Sequence, residues 1–208
     1  MDRERITISI RKPVLDIVDK TIDGTSIRNR SHAIENLITK AAGSINKQAL
    51  ILLGGDNAMK AIEPTKSFLK KLSESGFPKA YVAIGFLGDK VKEKLGDGSE
   101  FEISIEYNNK GEGSGGAITA LKKNFKSPLV VFNSAKMIDL DLESLLDYHQ
   151  KYGVTATIAT DNLNTLDGIY ILSPEILKNI PSGFSMLEED ILPQLLKEGK
   201  AIVLPLPN

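Results

Sequence analysis

The stretch VVFNSAKMIDLDL, residues 130–142, sets Asn133, Ser134 and Ala135 at the end of a short apolar run and then opens a helix. In α/β proteins the carboxyl end of such a strand is where ligands and reacting groups gather. Chemistry that uses a hard divalent cation would want a carboxylate there, whereas this strand delivers an amide and a hydroxyl. Asp139 and Asp141 follow closely, and one of them is better spent as the N-cap of the helix LESLLDYHQ. Two glycine-rich turns accompany this strand end. Gly54-Gly55 follows the run LILL, and KGEGSGGAI, with Gly113, Ser114, Gly115 and Gly116, precedes another helix. Glycine lets backbone N–H groups approach an anion closely. Neither turn has the GK[ST] of a P-loop, and neither is a GxGxxG after a first strand. Each alone is better read as a tight structural turn.

Composition narrows the chemistry. The chain of 208 residues has no cysteine, and its two histidines, His32 and His149, lie far apart. Disulfides, thiolate metal sites and cysteine nucleophiles are excluded, and a histidine-rich metal site lacks its ligands. The longest apolar stretches fall far short of the ~20 residues that a bilayer demands. No signal peptide precedes the charged start MDRER, so a cytoplasmic protein with no membrane partner is expected. The net charge of −1 hides an asymmetry: residues 1–47 hold nine Lys/Arg against six Asp/Glu, and the remainder 17 against 21. A basic head on an acidic body suggests two parts with different partners.

These groups must be positioned by regular elements. From residue 49 onward, apolar runs at 49–53, 80–84, 101–107, 129–133, 154–159, 168–172 and 201–204 read as strands. Helical patterns fall near 61–75, 88–96, 115–124, 141–152, 174–179 and 187–198. The alternation predicts an α/β domain with a mainly parallel sheet and helices on both faces. Residues 1–43 form a separate unit, 44–48 a short linker and 49–208 the larger domain.

The first unit changes period twice. Ile6, Ile8 and Ile10 alternate with Arg5, Thr7 and Ser9, as in a half-buried strand. A helix follows Pro13, and Ser31 reads as the N-cap of a second helix carrying Ile34, Leu37, Ile38 and Ala41. One strand and two helices bury too little surface alone, so a second copy is expected, with the strands paired across a two-fold axis. The outward residues Arg5, Thr7 and Ser9 could then reach base edges in a DNA major groove, with Asn29, Arg30 and Ser31 at phosphates. ITISI…VLDIVD…GTSIRNRSHAIENLI resembles the ribbon-helix-helix DNA-binding family, which implies a DNA-binding homodimer.

The larger domain carries a second resemblance. GFPKAYVAIGFLGDKVKEKLGDGSEFEISIEY, GEGSGGAITAL, VVFNSAKMIDLDLESLLDYHQKYGVTATIA and DGIYILSPEILKNIPSGFSMLEEDILPQLLKEGKAIVLPL are similar, in order and spacing, to the sugar-phosphate nucleotidyltransferases. The resemblance implies a Rossmann-like fold and a reaction joining a nucleoside triphosphate to a sugar 1-phosphate, with Mg²⁺ on the phosphates. It also implies that Gly54, Gly55 and the Gly113–Gly116 loop contact the nucleotide, with Asn133 and Ser134 beside it. The departures fall on the chemistry. LLGGDNAMKAIEPTKSFL lacks the family's loop arginine and offers only Lys60 nearby. Ser134-Ala135 stands where the family has Gly-Asp, Asp56 is a loose substitute, and the sugar-contacting insert is missing. The sequence thus predicts a pseudoenzyme with no catalytic residue, metal or cofactor. The expected function is a sequence-specific DNA-binding transcriptional regulator whose body is a nucleotide or nucleotide-sugar sensor or an oligomerisation body, with dimers open to tetramers. The alternative is an active sugar-phosphate nucleotidyltransferase with an N-terminal oligomerisation arm, or a non-catalytic partner of such an enzyme.

Overall fold

The computed structural model describes residues 6–25, 27–45, 47–55, 58–121, 127–133 and 135–206, with only the backbone at 36 and 39–45. The chain divides into two compact units, 1–45 and 46–208.

In the first unit, the strand expected at residues 6–10 does not form: they have no regular structure and no ladder partner among the described residues, and Ile6 and Ile8 are exposed. Helix α1 (Lys12–Lys20) starts with Pro13 in its first turn, where the missing N–H costs nothing. Its end is closed by the Thr21 hydroxyl, which donates to the Val18 carbonyl at 2.7 Å. The Asp23 carboxylate then accepts from the Thr25 and Ile27 backbone N–H groups. Helix α2 (Arg30–Ile45) begins two residues earlier than a Ser31 cap requires. Asn29 is the cap: its Oδ1 accepts from the His32 N–H at 3.0 Å. Arg5 lies outside the described residues.

The second unit is a seven-stranded sheet of β1 (Gln48–Leu53), β2 (Lys79–Ile84), β3 (Ser104–Asn108), β4 (Leu129–Asn133), β5 (Ala156–Thr160), β6 (Gly168–Leu172) and β7 (Ala201–Pro205). The strand order is β3-β2-β1-β4-β6-β5-β7, mostly parallel as expected. The exception is β6, antiparallel to both β4 and β5. Only residues 161–167 join β5 to β6, and a parallel crossover needs roughly a dozen or more.

Alternate residues of each strand feed two cores. On one face Ile51, Val82 and Phe132 pack beneath helices α3 (Ile62–Glu74), α4 (Gly88–Leu95) and α6 (Leu142–Tyr152). Phe68 stacks on Phe132 there, with ring centres 4.4 Å apart. On the other face Leu50, Tyr81, Val131 and Tyr170 meet α5 (Gly113–Thr119), a 3-10 segment at 174–178 and α7 (Leu192–Lys197).

Two departures from the expected elements have local causes. The strand expected from residue 101 begins only at Ser104, because the Asp97 carboxylate accepts from the Ser99 N–H and hydroxyl and turns the chain through a 3-10 helix. The helix expected over 187–198 opens as a π-helical turn, Leu187–Ile191. Pro193 follows in the first turn of α7 and has no N–H to give to an i−4 carbonyl.

Candidate functional site

A cavity of about 390 Å³ lies over the carboxyl ends of the parallel strands β1, β2, β3 and β4. Leu52, Ala83 and Ile84 line it from the strand ends, and Gly54, Gly55 and Gly85 from the turns that follow. These glycines let two backbones meet: a Cβ on Gly85 would stand 3.4 Å from the Gly54 Cα. The far side is built by Asn108, Asn109, Lys110 and Gly111, and then by Gly113, Ser114 and Ala117 of α5. Asn108 Oδ1 accepts from the Lys110 N–H at 2.8 Å, which fixes the turn. Lys110 is the one ionisable side chain among the described residues lining the cavity.

Close packing holds the Gly113–Gly116 loop. Gly113 has φ +74°, and a Cβ there would lie 2.3 Å from the Ser185 carbonyl oxygen. One on Gly115 would lie 2.2 Å from Ser185 Oγ. The Gly115 N–H donates to the Ser185 carbonyl at 2.9 Å, so the segment around Phe184 and Met186 becomes the cavity's last wall.

Behind the cavity sits a half-buried polar network centred on Glu188. Its Oε1 accepts from Asn133 Nδ2 at 2.7 Å and from the Tyr170 hydroxyl at 2.9 Å. Its Oε2 accepts from Ser114 Oγ at 3.0 Å, and Ser114 Oγ itself accepts from the Leu187 N–H at 2.7 Å. Burial and the nearby Glu188 carboxylate hold the Tyr170 phenol well above its ordinary range, so it serves as a donor.

The structure brings Gly54, Gly55, Gly113, Ser114 and Asn133 together at this cavity. Gly115 and Gly116 stand behind it as packing positions, and Ser134 lies outside the described residues. Sequence reasoning missed Glu188, Tyr170, Lys110 and Phe184. SMLEED offers three acids in a row, and only the π-helical turn decides that Glu188 faces inward while Asp190 accepts from the Met186 N–H. Lys110 had a legible signal, a lone cation inside a glycine-rich loop. Asp141 caps α6 by accepting from the Ser144 N–H. Asp139 pairs with Lys71 outside the cavity, and that lysine holds its carboxyl below the usual range.

Among the described residues lining the cavity there is no carboxylate to hold a divalent cation. At the end of β4, Asn133 offers only a neutral amide, and the side chain of Ala135 has no ligand atom. Among the described residues no three His, Asp or Glu side chains are grouped to hold a metal.

A mostly parallel sheet with a cavity at its strand ends, lined by glycine turns, is the α/β architecture in which ligands bind at the carboxyl ends of the strands. Residues 43–167 match the family described as nucleotidyl transferase, and this chain belongs to it. It is 26% identical to a UTP–glucose-1-phosphate uridylyltransferase of Synechocystis, the match covering 66% of this chain and 48% of that protein. It is 28% identical to the bifunctional protein GlmU of Bacillus mycoides over 44% of this chain and 20% of that one. The chain thus spans half or less of the length of these curated relatives. The fold is shared with the crystal structure of HddC from Yersinia pseudotuberculosis, at TM-score 0.58 and 17% identity, over 76% of this chain and 90% of that one.

The family and the curated relatives overturn the DNA-binding regulator expected from the sequence, since both are nucleotidyl transferases rather than DNA-binding proteins. Of the residues assigned to DNA, two have partners within their own unit. Arg30 makes a bidentate ion pair with Asp19, both contacts at 2.7 Å, and Asn29 is spent on its helix cap. Thr7, Ser9 and Ser31 are exposed. The basic head therefore misled, since short basic helical units recur in many settings. No described helix is long and apolar enough to cross a membrane.

Proposed function

We propose that this chain is a nucleotide-holding member of the sugar-phosphate nucleotidyltransferases, with a nucleoside triphosphate or nucleotide sugar seated in the cavity at the ends of β1–β4. The observation that carries this reading is the meeting of Gly54, Gly85 and the Gly113–Ser114 turn around one cavity with a single cation, Lys110. Backbone N–H groups and one lysine suit a ligand with a polar planar part and an anionic tail. The uridylyltransferase relative makes UTP and UDP-glucose the first ligands to try.

Holding without transfer is favoured by the strand end itself, where the amide of Asn133 faces Glu188 and the described lining residues include no carboxylate for Mg²⁺. Such a chain would serve as a non-catalytic partner of an active enzyme. Family membership supports the rival reading, transfer by this chain. Incubation with each nucleoside triphosphate, glucose 1-phosphate and Mg²⁺, followed by a pyrophosphate assay, separates the two. No pyrophosphate above a blank, together with saturable nucleotide binding, is the expected result. Release at a rate that rises with protein concentration would replace holding by transfer.

The N-terminal unit is read as an oligomerisation arm. Ile6, Ile8, Ile17 and Ile38 are 70%, 51%, 59% and 56% exposed, an apolar surface that self-association would bury.

A further inference from the structure

We propose that Phe184 is the stacking platform of this cavity: its ring covers the planar base of the bound nucleotide. The inference rests on the reading of the cavity as a nucleotide site and assigns one part of the ligand to one side chain.

Phe184 lines the cavity, yet it is 68% exposed. It is the one aromatic residue among the described lining residues, whose other apolar members, such as Leu52, Ala83, Ile84 and Met186, are aliphatic. A large ring left open at the edge of a concave site has apolar area to bury, and every nucleobase offers a π-face of matching shape.

The backbone around Phe184 is fixed on one side and open on the other. On its carboxyl side the Ser185 N–H donates to the Glu112 carbonyl at 3.3 Å, and the Ser185 carbonyl accepts from Gly115. The glycine contacts there leave no room for Ser185 to shift toward the loop. On its amino side Gly183 adopts φ +94°, a methyl group added there would meet nothing within 4 Å, and residues 181–183 are exposed. The ring is therefore anchored one residue away from the Gly113–Gly116 loop and free to turn over the cavity. Phe86 provides an internal control. It is 74% exposed after β2 but lies off the cavity lining.

The test uses the full chain and ATP, CTP, GTP and UTP as probes. With the tightest of these, Phe184→Ala should weaken binding by roughly fivefold to a hundredfold, the range of one base–aromatic stack. Phe86→Ala should leave it unchanged, and Phe184→Trp should restore it. Because the chain contains no tryptophan, the Phe184→Trp protein carries a single indole whose fluorescence should be quenched as the nucleotide binds. Melting curves should be alike for all variants, since both rings are exposed. Binding by Phe184→Ala within twofold of wild type, or equal losses in both alanine variants, overturns the stacking role while leaving the nucleotide reading intact. Failure of wild type to bind any of the four overturns the nucleotide reading itself.

Discussion

Asn133 Nδ2 donates to Glu188 Oε1 at 2.7 Å, tying the end of the central strand β4 to a π-helical turn 55 residues later in sequence. The same carboxylate takes Ser114 from α5 and Tyr170 from β6. One side chain thus joins the elements that enclose the cavity from behind. Glu188→Ala removes the acceptor of Asn133 and Ser114, while the Tyr170 hydroxyl keeps the Leu166 carbonyl at 2.8 Å, and should cost about 1–3 kcal/mol of stability, the usual cost of unsatisfied polar groups away from water. Glu188→Gln keeps the shape and should cost less. Urea denaturation of the two variants beside wild type measures both; equal small losses would mean that the network does not hold the wall together.

The Ser185 segment seats only because residues 113 and 115 lack side chains. Gly113→Ala adds a Cβ 2.3 Å from a backbone oxygen at a positive φ, so strain alone should cost about 1–3 kcal/mol, with the clash on top. Gly183→Ala shares the positive φ but meets open space, and should cost less. Thermal melts of the pair separate clash from conformational strain.

His149 is buried at 3% exposure, with Nδ1 2.9 Å from Thr157 Oγ1 and Nε2 2.8 Å from Ser173 Oγ. Burial lowers its pKa below the ordinary 6.5, only partly offset by Glu175. The unfolded chain therefore takes up the proton first. Its contribution to stability is complete above about pH 6.5 and is lost as pH falls through the lower, folded-state pKa. The His149→Gln variant should show a flatter stability profile below neutrality, measured by urea midpoints at several pH values. A wild-type profile no steeper than the variant's would contradict this.

The exposed isoleucines of the N-terminal unit predict self-association. Sedimentation velocity of the full chain should give a dimer or larger species, and the double variant Ile8→Asp, Ile17→Asp should shift it toward monomer. A wild-type protein that stays monomeric at every concentration would remove the arm.

Much of the larger unit was legible in its sequence. The apolar-run strands and amphipathic helices lie within a few residues of their expected places, because each strand is flanked by glycine, proline or polar turns. The 161–167 connection is too short for a crossover, so the reversal of β6 could have been read from its length. The cavity was half legible: glycine turns announce themselves, whereas Glu188 is one acid in a run of three and is singled out only by a π-helical turn. The Ser31 cap was displaced because Asn29, an equally good cap, stands two residues earlier. The function assigned to the basic head failed for a different reason. A charge pattern shows that a polyanion could be accommodated, not that one is bound.

The central claim is that the cavity over β1–β4 holds a nucleotide. The most direct measurement is calorimetric titration of the four ribonucleoside triphosphates and UDP-glucose into wild type and into Gly54→Leu. A Cβ added at Gly54 meets no heavy atom within 4 Å, so a side chain there starts into open space and should fill the cavity without disturbing the fold. Saturable binding of at least one ligand by wild type, lost in Gly54→Leu at an unchanged melting temperature, is the expected result. No saturable binding, or equal binding by both proteins, would contradict it.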